Sequence, residues 1–195
     1  ASDVYKRQGI RGIKIDFMDS ASQERLDFYD AVAENLAKNK LMVNFHGANT
    51  PTGEERSWPH EMSREGIYGG EQNIWAAIGG QHYCALPFTR LVSGHADFTG
   101  GYFGHGPKLR GSSWTLQMAA NIIYTSPMLH WVSNPADMEA AFPKDSPERE
   151  VVRNIPSVWE ETIVLPPSAI GECAAFARRS GNQWYIALMN GDGRE

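Results

Sequence analysis

The chain has 195 residues, 42% hydrophobic and 21% charged, which are values of a globular domain and exclude a disordered segment. A net charge of −5 with no basic stripe speaks against nucleic acid as a partner, and no run of about 18 apolar residues is present to span a membrane. Cys84 and Cys173 lack metal-type spacing, which argues against zinc and leaves two free thiols as the simpler reading.

Residues 1–8, ASDVYKRQ, join abruptly to a glycine-led strand and resemble a translated sequencing adapter, so a non-native leader is expected there. No signal peptide is visible in the segment. Gly12 to Met18 reads as a buried strand with Asp16 near its C-terminal end. Ser20 and Gln23 form a capping box for a helix whose apolar positions are Leu26, Tyr29, Val32, Ala33 and Leu36. Asn39-Lys40 closes that helix, and Leu41 to His46 is a second strand. A strand, a helix and a strand joined by short turns make a βαβ unit and predict a parallel sheet. In such sheets the C-terminal strand ends carry the chemistry, and Asp16 and His46 both lie there.

Residues 47–88 are rich in turn formers and read as one long functional loop. Residues 94–110 are glycine-rich and read as another loop, with Asp97 a turn residue before Gly100-Gly101. Ser112 or Ser113 caps a helix running to about Tyr124, Ser126 to Val132 is a candidate strand, and Met138 to Phe142 a short helix stopped by Pro143. From Gly171 the pattern changes to alternation around SGNQ, which predicts an antiparallel hairpin and a different domain.

Among the carboxylates, Asp16 stands out because a charge inside an apolar strand is costly without a purpose. Catalysis is one such purpose; holding a backbone amide or Lys14 is another. Glu65 and Glu71 lie in the long loop, where a solvated carboxylate is the default. The 6 Trp, 7 Tyr and 8 Phe suit a sugar-stacking surface and an ordinary core alike, and Trp58 and Trp75 are assigned to packing.

Five motifs stand in order: KIDFMD at 14–19, VNFHGANTPTGEER at 43–56, REGIYGGE at 64–71, LPFTR at 86–90 and PSVWEET at 156–162. Together they resemble glycoside hydrolase family 97, and residues 171–190 are similar to the opening of that family's C-terminal β-domain. The resemblance implies an α/β fold. Residues 9–167 would form the second half of a (β/α)8 TIM barrel, and 168–195 the truncated start of an antiparallel β-sandwich. It also implies cleavage of terminal α-glycosidic bonds in an α-linked oligosaccharide. The family's inverting α-glucosidases carry a Glu after the His of the FH motif, whereas its retaining α-galactosidases have Gly there and keep the Asp of the KIDF strand. Asp16 and Gly47 match the retaining branch, which makes Asp16 the nucleophile and Glu71 the acid/base. Glu65 matches a ligand of the family's calcium ion, Ca2+, whose site would be incomplete here. Lys14 and His46, near strand ends, are expected to contact sugar hydroxyls, and Arg90 to pair a carboxylate. An inverting α-glucosidase and an inactive carbohydrate-binding fragment are the competing readings.

Overall fold

A computed structural model describes residues 2–103, 109–110 and 112–192, so part of the expected loop at 94–110 lies outside the described residues. A short helix, α1 (Ser2–Arg7), precedes β1 (Gly12–Ile15). The long helix α2 (Gln23–Lys38) then leads to β2 (Met42–Phe45), which pairs parallel with β1 in the register Gly12↔Met42 to Ile15↔Phe45. The expected βαβ unit is therefore present.

Its cap is Ser22 and not Ser20: Ser22 Oγ accepts from Arg25 N–H at 3.4 Å, while Ser20 Oγ accepts from Ser22 N–H and shapes the approach. Asn39 ends the helix, and Lys40 turns the chain out of it at φ 55. Tyr29, Ala33 and Leu36 face inward, and Tyr29 and Leu36 pack on Leu41, Val43 and Phe45, with the Tyr29 ring edge-on to Phe45 at 4.8 Å. Each of these fully buried apolar side chains stabilises the unit by about 1.5–3 kcal/mol.

A third strand, β3 (Glu61–Arg64), pairs parallel with β2 inside the segment expected to be loop. It is short and polar, and its inward face is an ion pair in place of an apolar stripe: Arg64 Nε donates to Glu61 Oε1 at 2.7 Å, and the guanidinium lies 4.4 Å over the Tyr29 ring. Beyond it, among the described residues, the sheet continues as single parallel bridges, Arg64↔Ala96 and Gly100↔Trp131. The strand expected at Ser126–Val132 is reduced to that last bridge. Pro127 offers no N–H, and Ser126 Oγ accepts from Met128 N–H to make a local turn.

Helix α3 (Gly80–Ala85) and helix α4 (Trp114–Ile123, capped by Ser113) follow. Helix α5 (Pro135–Ala141) starts three residues before the expected Met138, because Asn134 caps it and Pro135 takes the first helical position. Helix α6 (Pro147–Asn154) was not foreseen.

A second sheet is antiparallel, in the order β4 (Glu161–Val164), β5 (Cys173–Ser180), β6 (Gln183–Asn190). The predicted hairpin is its β5–β6 pair. The sheet begins at Glu161, ahead of the boundary expected at residue 168, since β4 pairs with β5 from Glu161↔Arg179. One apolar core joins this sheet to the helices: Tyr83, Cys84, Ile122 and Ile123 cluster with Ala174, Phe176, Ala187 and Met189. Among the described residues no helix is long and apolar enough to cross a membrane.

Candidate active site

The C-terminal ends of β1, β2 and β3 meet at one polar cluster. Asp16 was expected inside the first strand, but β1 ends at Ile15 and Asp16 is exposed. The turn that follows, with Phe17 at φ 63 and Asp19 at φ 48, lifts the chain off the sheet, so solvent carries the charge. Asp16 Oδ1 accepts from the Phe17 N–H at 2.6 Å.

Gly47, just past β2, lies against it. At φ 55 glycine is the residue with least strain, and a Cβ there would come within 2.9 Å of both Asp16 Oδ1 and Phe17 N. The Gly47 N–H donates to Glu65 Oε2 at 2.6 Å. Asp16, Gly47 and Glu65 therefore form one contact chain with no space for a side chain at position 47.

His46 is buried among three carboxylates. Its Nδ1 is 2.9 Å from Asp97 Oδ2, and its Nε2 is 3.0 Å from Glu71 Oε2 and 3.4 Å from Glu65 Oε1. Burial alone would push its pKa down. The hydrogen bonds to Asp97 and Glu71 and the field of Glu65 override that and raise it from 6.5 to about 10, so the ring is an imidazolium with both nitrogens donating. The same contact, chiefly the hydrogen bond from His46, holds Glu71 below the usual carboxylate range against its partial desolvation. Glu65 moves the other way: desolvation raises it, with repulsion from Glu71 and Asp97 added, although His46 and the Gly47 N–H pull against this.

Asp97, expected as a turn residue, is a buried hub. Its side chain is 1% exposed. Lys14 Nζ lies 2.8 Å from its Oδ2, so Lys14 is held at the site by a buried acid. Burial would raise the Asp97 pKa, but hydrogen bonds from His130, His46 and Lys14 hold it far below the ordinary carboxylate value. Sequence reading missed both Asp97 and His130. The one available signal was an acid followed by Thr within an otherwise apolar DFTGG stretch.

Arg90 does not pair a carboxylate. Its guanidinium is caged by carbonyls of Arg64, Glu65, Gly66 and Gly94 at 2.8–3.1 Å, and burial together with nearby Arg64 lowers its pKa to about 10. It fastens the Arg64–Gly66 backbone and so the placement of Glu65. Trp58 Nε1 donates to Asp30 Oδ1 at 3.0 Å, a structural role, while Trp75 is largely exposed instead of packed.

Ligand atoms of His46, Glu65 and Glu71 all lie within 4.8 Å of one another, a spacing that fits a metal ion. Calcium takes oxygen, about six to eight ligands, and the two carboxylates can offer roughly four of them. Desolvation raises the Glu65 pKa first and repulsion from Glu71 and Asp97 adds to it, a burden that a hard cation would relieve. His46 Nε2 lies in the same cluster, 3.0 Å from Glu71 Oε2 and 3.4 Å from Glu65 Oε1, although a hard cation such as calcium takes the carboxylate oxygens first.

The family described as "Glycoside hydrolase 97" matches residues 1–67, and that described as "Glycosyl-hydrolase 97 C-terminal, oligomerisation" matches residues 158–195. A "Probable retaining alpha-galactosidase" of Streptomyces bingchenggensis is 37% identical over 183 residues, 94% of this chain and 28% of that protein. A "Retaining alpha-galactosidase" of Bacteroides thetaiotaomicron is 31% identical over 195 residues, 93% of this chain and 29% of that protein. The chain thus spans less than a third of the curated relatives it matches. Among solved structures, a family 97 enzyme from Pseudoalteromonas sp. strain K8 in complex with acarbose superposes with TM-score 0.85 at 22% identity, over 98% of this chain and 33% of that one. A beta-arabinopyranosidase superposes with TM-score 0.83 at 26% identity, over 97% and 31%.

Proposed function

Because this chain belongs to glycoside hydrolase family 97, represented here by part of its length, we propose that it carries the catalytic carboxyl pair of a retaining α-glycosidase acting on terminal α-galactosides. Asp16 is the nucleophile and Glu71 the acid/base. The β1–β2–β3 sheet and its two following bridges represent successive strands of the second half of a (β/α)8 barrel.

The observation that carries the reading is steric. A Cβ at position 47 would come within 2.9 Å of Asp16 Oδ1 and of the Phe17 backbone N, and 3.2 Å from Phe17 Cα, so with the chain placed to present Asp16 there is no room for a carboxylate at 47. With Gly47 in place, Asp16 is the acid left on that side to attack the anomeric carbon. An inverting enzyme would need its water-activating base there instead.

Asp16 is solvent-facing and its Oδ1 accepts from the Phe17 N–H, which orients the carboxylate for attack. It displaces the aglycone at C1 to give a covalent glycosyl-enzyme. Glu71 must give a proton to the departing oxygen and then take one from water. Without substrate, His46 holds Glu71 as the carboxylate, the form that serves the second step. A sugar hydroxyl that takes the His46 Nε2–H would free Glu71 from that bond, let its pKa rise and prepare it for the first step. Lys14 and His46 bind hydroxyls of the terminal sugar. Glu65 and Glu71 would hold Ca2+, whose charge would help orient the sugar. The natural substrate class is an α-linked oligosaccharide; acarbose and panose complexes of Pseudoalteromonas family 97 enzymes support that class.

The test is turnover of aryl α-galactoside and aryl α-glucoside by the protein extended to the length of its relatives. Preference for the galactoside is expected. Preference for the glucoside would contradict the substrate assignment.

A further inference from the structure

The proposed reaction gives Asp97 no part, yet it is the most connected acid at the site. Its Oδ2 accepts from Lys14 Nζ at 2.8 Å, Asn44 Nδ2 at 2.7 Å and His46 Nδ1 at 2.9 Å. Its Oδ1 faces Thr99 Oγ1 at 2.8 Å and His130 Nδ1 at 3.3 Å. Those partners come from β1, from β2, from the loop of Asp97 itself and from the segment after α4. Thr99 is held at φ 51, a costly place for a β-branched residue, and there its hydroxyl reaches Asp97.

A buried acid used only for charge balance needs one good cation. Here Lys14 and His46, from neighbouring strands in the register Lys14↔Asn44, are both tied to one oxygen. The Lys14 ammonium has three N–H groups and uses one here, and the imidazole turned by Asp97 through Nδ1 aims its other nitrogen, Nε2, at Glu71. Orientation of a working imidazole from behind by a buried carboxylate is the logic of a catalytic triad.

We propose that Asp97 is a positioning residue: it fixes the Lys14 ammonium and the His46 ring so that the free N–H groups of Lys14, and the His46 Nε2 that now reaches Glu71, are aimed at hydroxyls of the terminal sugar. This rests on the glycosidase reading above. Asp97 touches no substrate and acts through its two partners.

The experiment compares wild type and Asp97→Asn, in protein extended to the relatives' length, on an aryl α-galactoside and its monodeoxy analogues. Misplaced donors should lower kcat/KM on the parent sugar by about 100-fold. On at least one analogue, lacking the hydroxyl those donors meet, the loss should shrink to roughly a tenth of that. Lys14→Met combined with Asp97→Asn should cost little more than either change alone. Equal losses on every analogue together with additive effects would overturn the proposal, since a merely structural acid behaves that way. Should Asp97→Asn not fold, Thr99→Val removes one support from Oδ1 and should show the same hydroxyl dependence at about tenfold or less. If wild type turns over no aryl α-glycoside, the glycosidase reading fails separately. A crystal structure of the variant then decides: displaced Lys14 Nζ and His46 ring support the proposal, and unmoved ones refute it.

Discussion

On one side of the site, Glu71 is tied through His46 to Asp97 and from there to Lys14, Asn44, Thr99 and His130. On the other, Asp16 stands exposed on the last residue before a turn, beside the edge strand, and accepts from the next backbone amide. The buried side consists of polar groups that must satisfy one another, because an unpaired charge there is prohibitive. The open side is limited by space, and Gly47 sets that limit. One carboxylate is thus controlled by hydrogen bonds and the other by excluded volume, so each should fail in its own way.

The largest effect should come from the open side. Asp16→Gly should lower kcat by about 10⁴-fold or more while leaving the fold intact, since an exposed side chain is removed. Added azide or formate should restore part of the turnover with inverted product, because a small anion can fill the vacated place and attack C1. Unchanged activity would remove Asp16 from the chemistry. Gly47→Ala comes next. Its methyl would meet Asp16 Oδ1 and the Phe17 N–H pair at 2.9 Å, so activity should fall by about 100-fold through displaced Asp16, with stability reduced by roughly 1 kcal/mol for the positive φ. Equal loss of activity in Gly47→Ala and in a neighbouring surface variant would deny the steric account.

The smallest effect belongs to the buried side and is a matter of pH. The His46 pKa is raised from 6.5 to about 10, so its contribution to stability is fully present below 6.5 and is lost as pH rises through 10. Asp97 has the opposite sign: held below its ordinary value, it contributes above about 3.8 and loses that as pH falls. The thermal midpoint of wild type should therefore drop by several degrees between pH 6.5 and 10, and that of His46→Gln by clearly less. Parallel curves for the two would mean that His46 is not the imidazolium described.

The elements that could be read from the sequence were those with long apolar periodicity or a clear cap: the β1–α2–β2 unit, the Ser113-capped helix α4 and the β5–β6 hairpin. Strand β3 escaped because its burial is achieved by the Arg64–Glu61 ion pair, with the Arg64 guanidinium stacked on Tyr29, an arrangement with no apolar period to detect. Asp97 escaped for a related reason. Its partners His46 and Asn44 lie 51 and 53 residues away along the chain, so only the folded sheet brings them to it. Glu71 and Glu65 were singled out by resemblance and His46 by its place at a strand end, and the structure brings those three together. Gly47 was legible as a marker, but its physical reason, the missing space beside Asp16 and Phe17, arises only in the folded chain.

The central claim is that one carboxylate, Asp16, attacks the sugar directly. The most direct test is the configuration of the first-formed product, followed by proton NMR during hydrolysis of an aryl α-galactoside by the protein extended to the relatives' length. Double displacement through Asp16 predicts the α-anomer before mutarotation. The β-anomer as first product would contradict it.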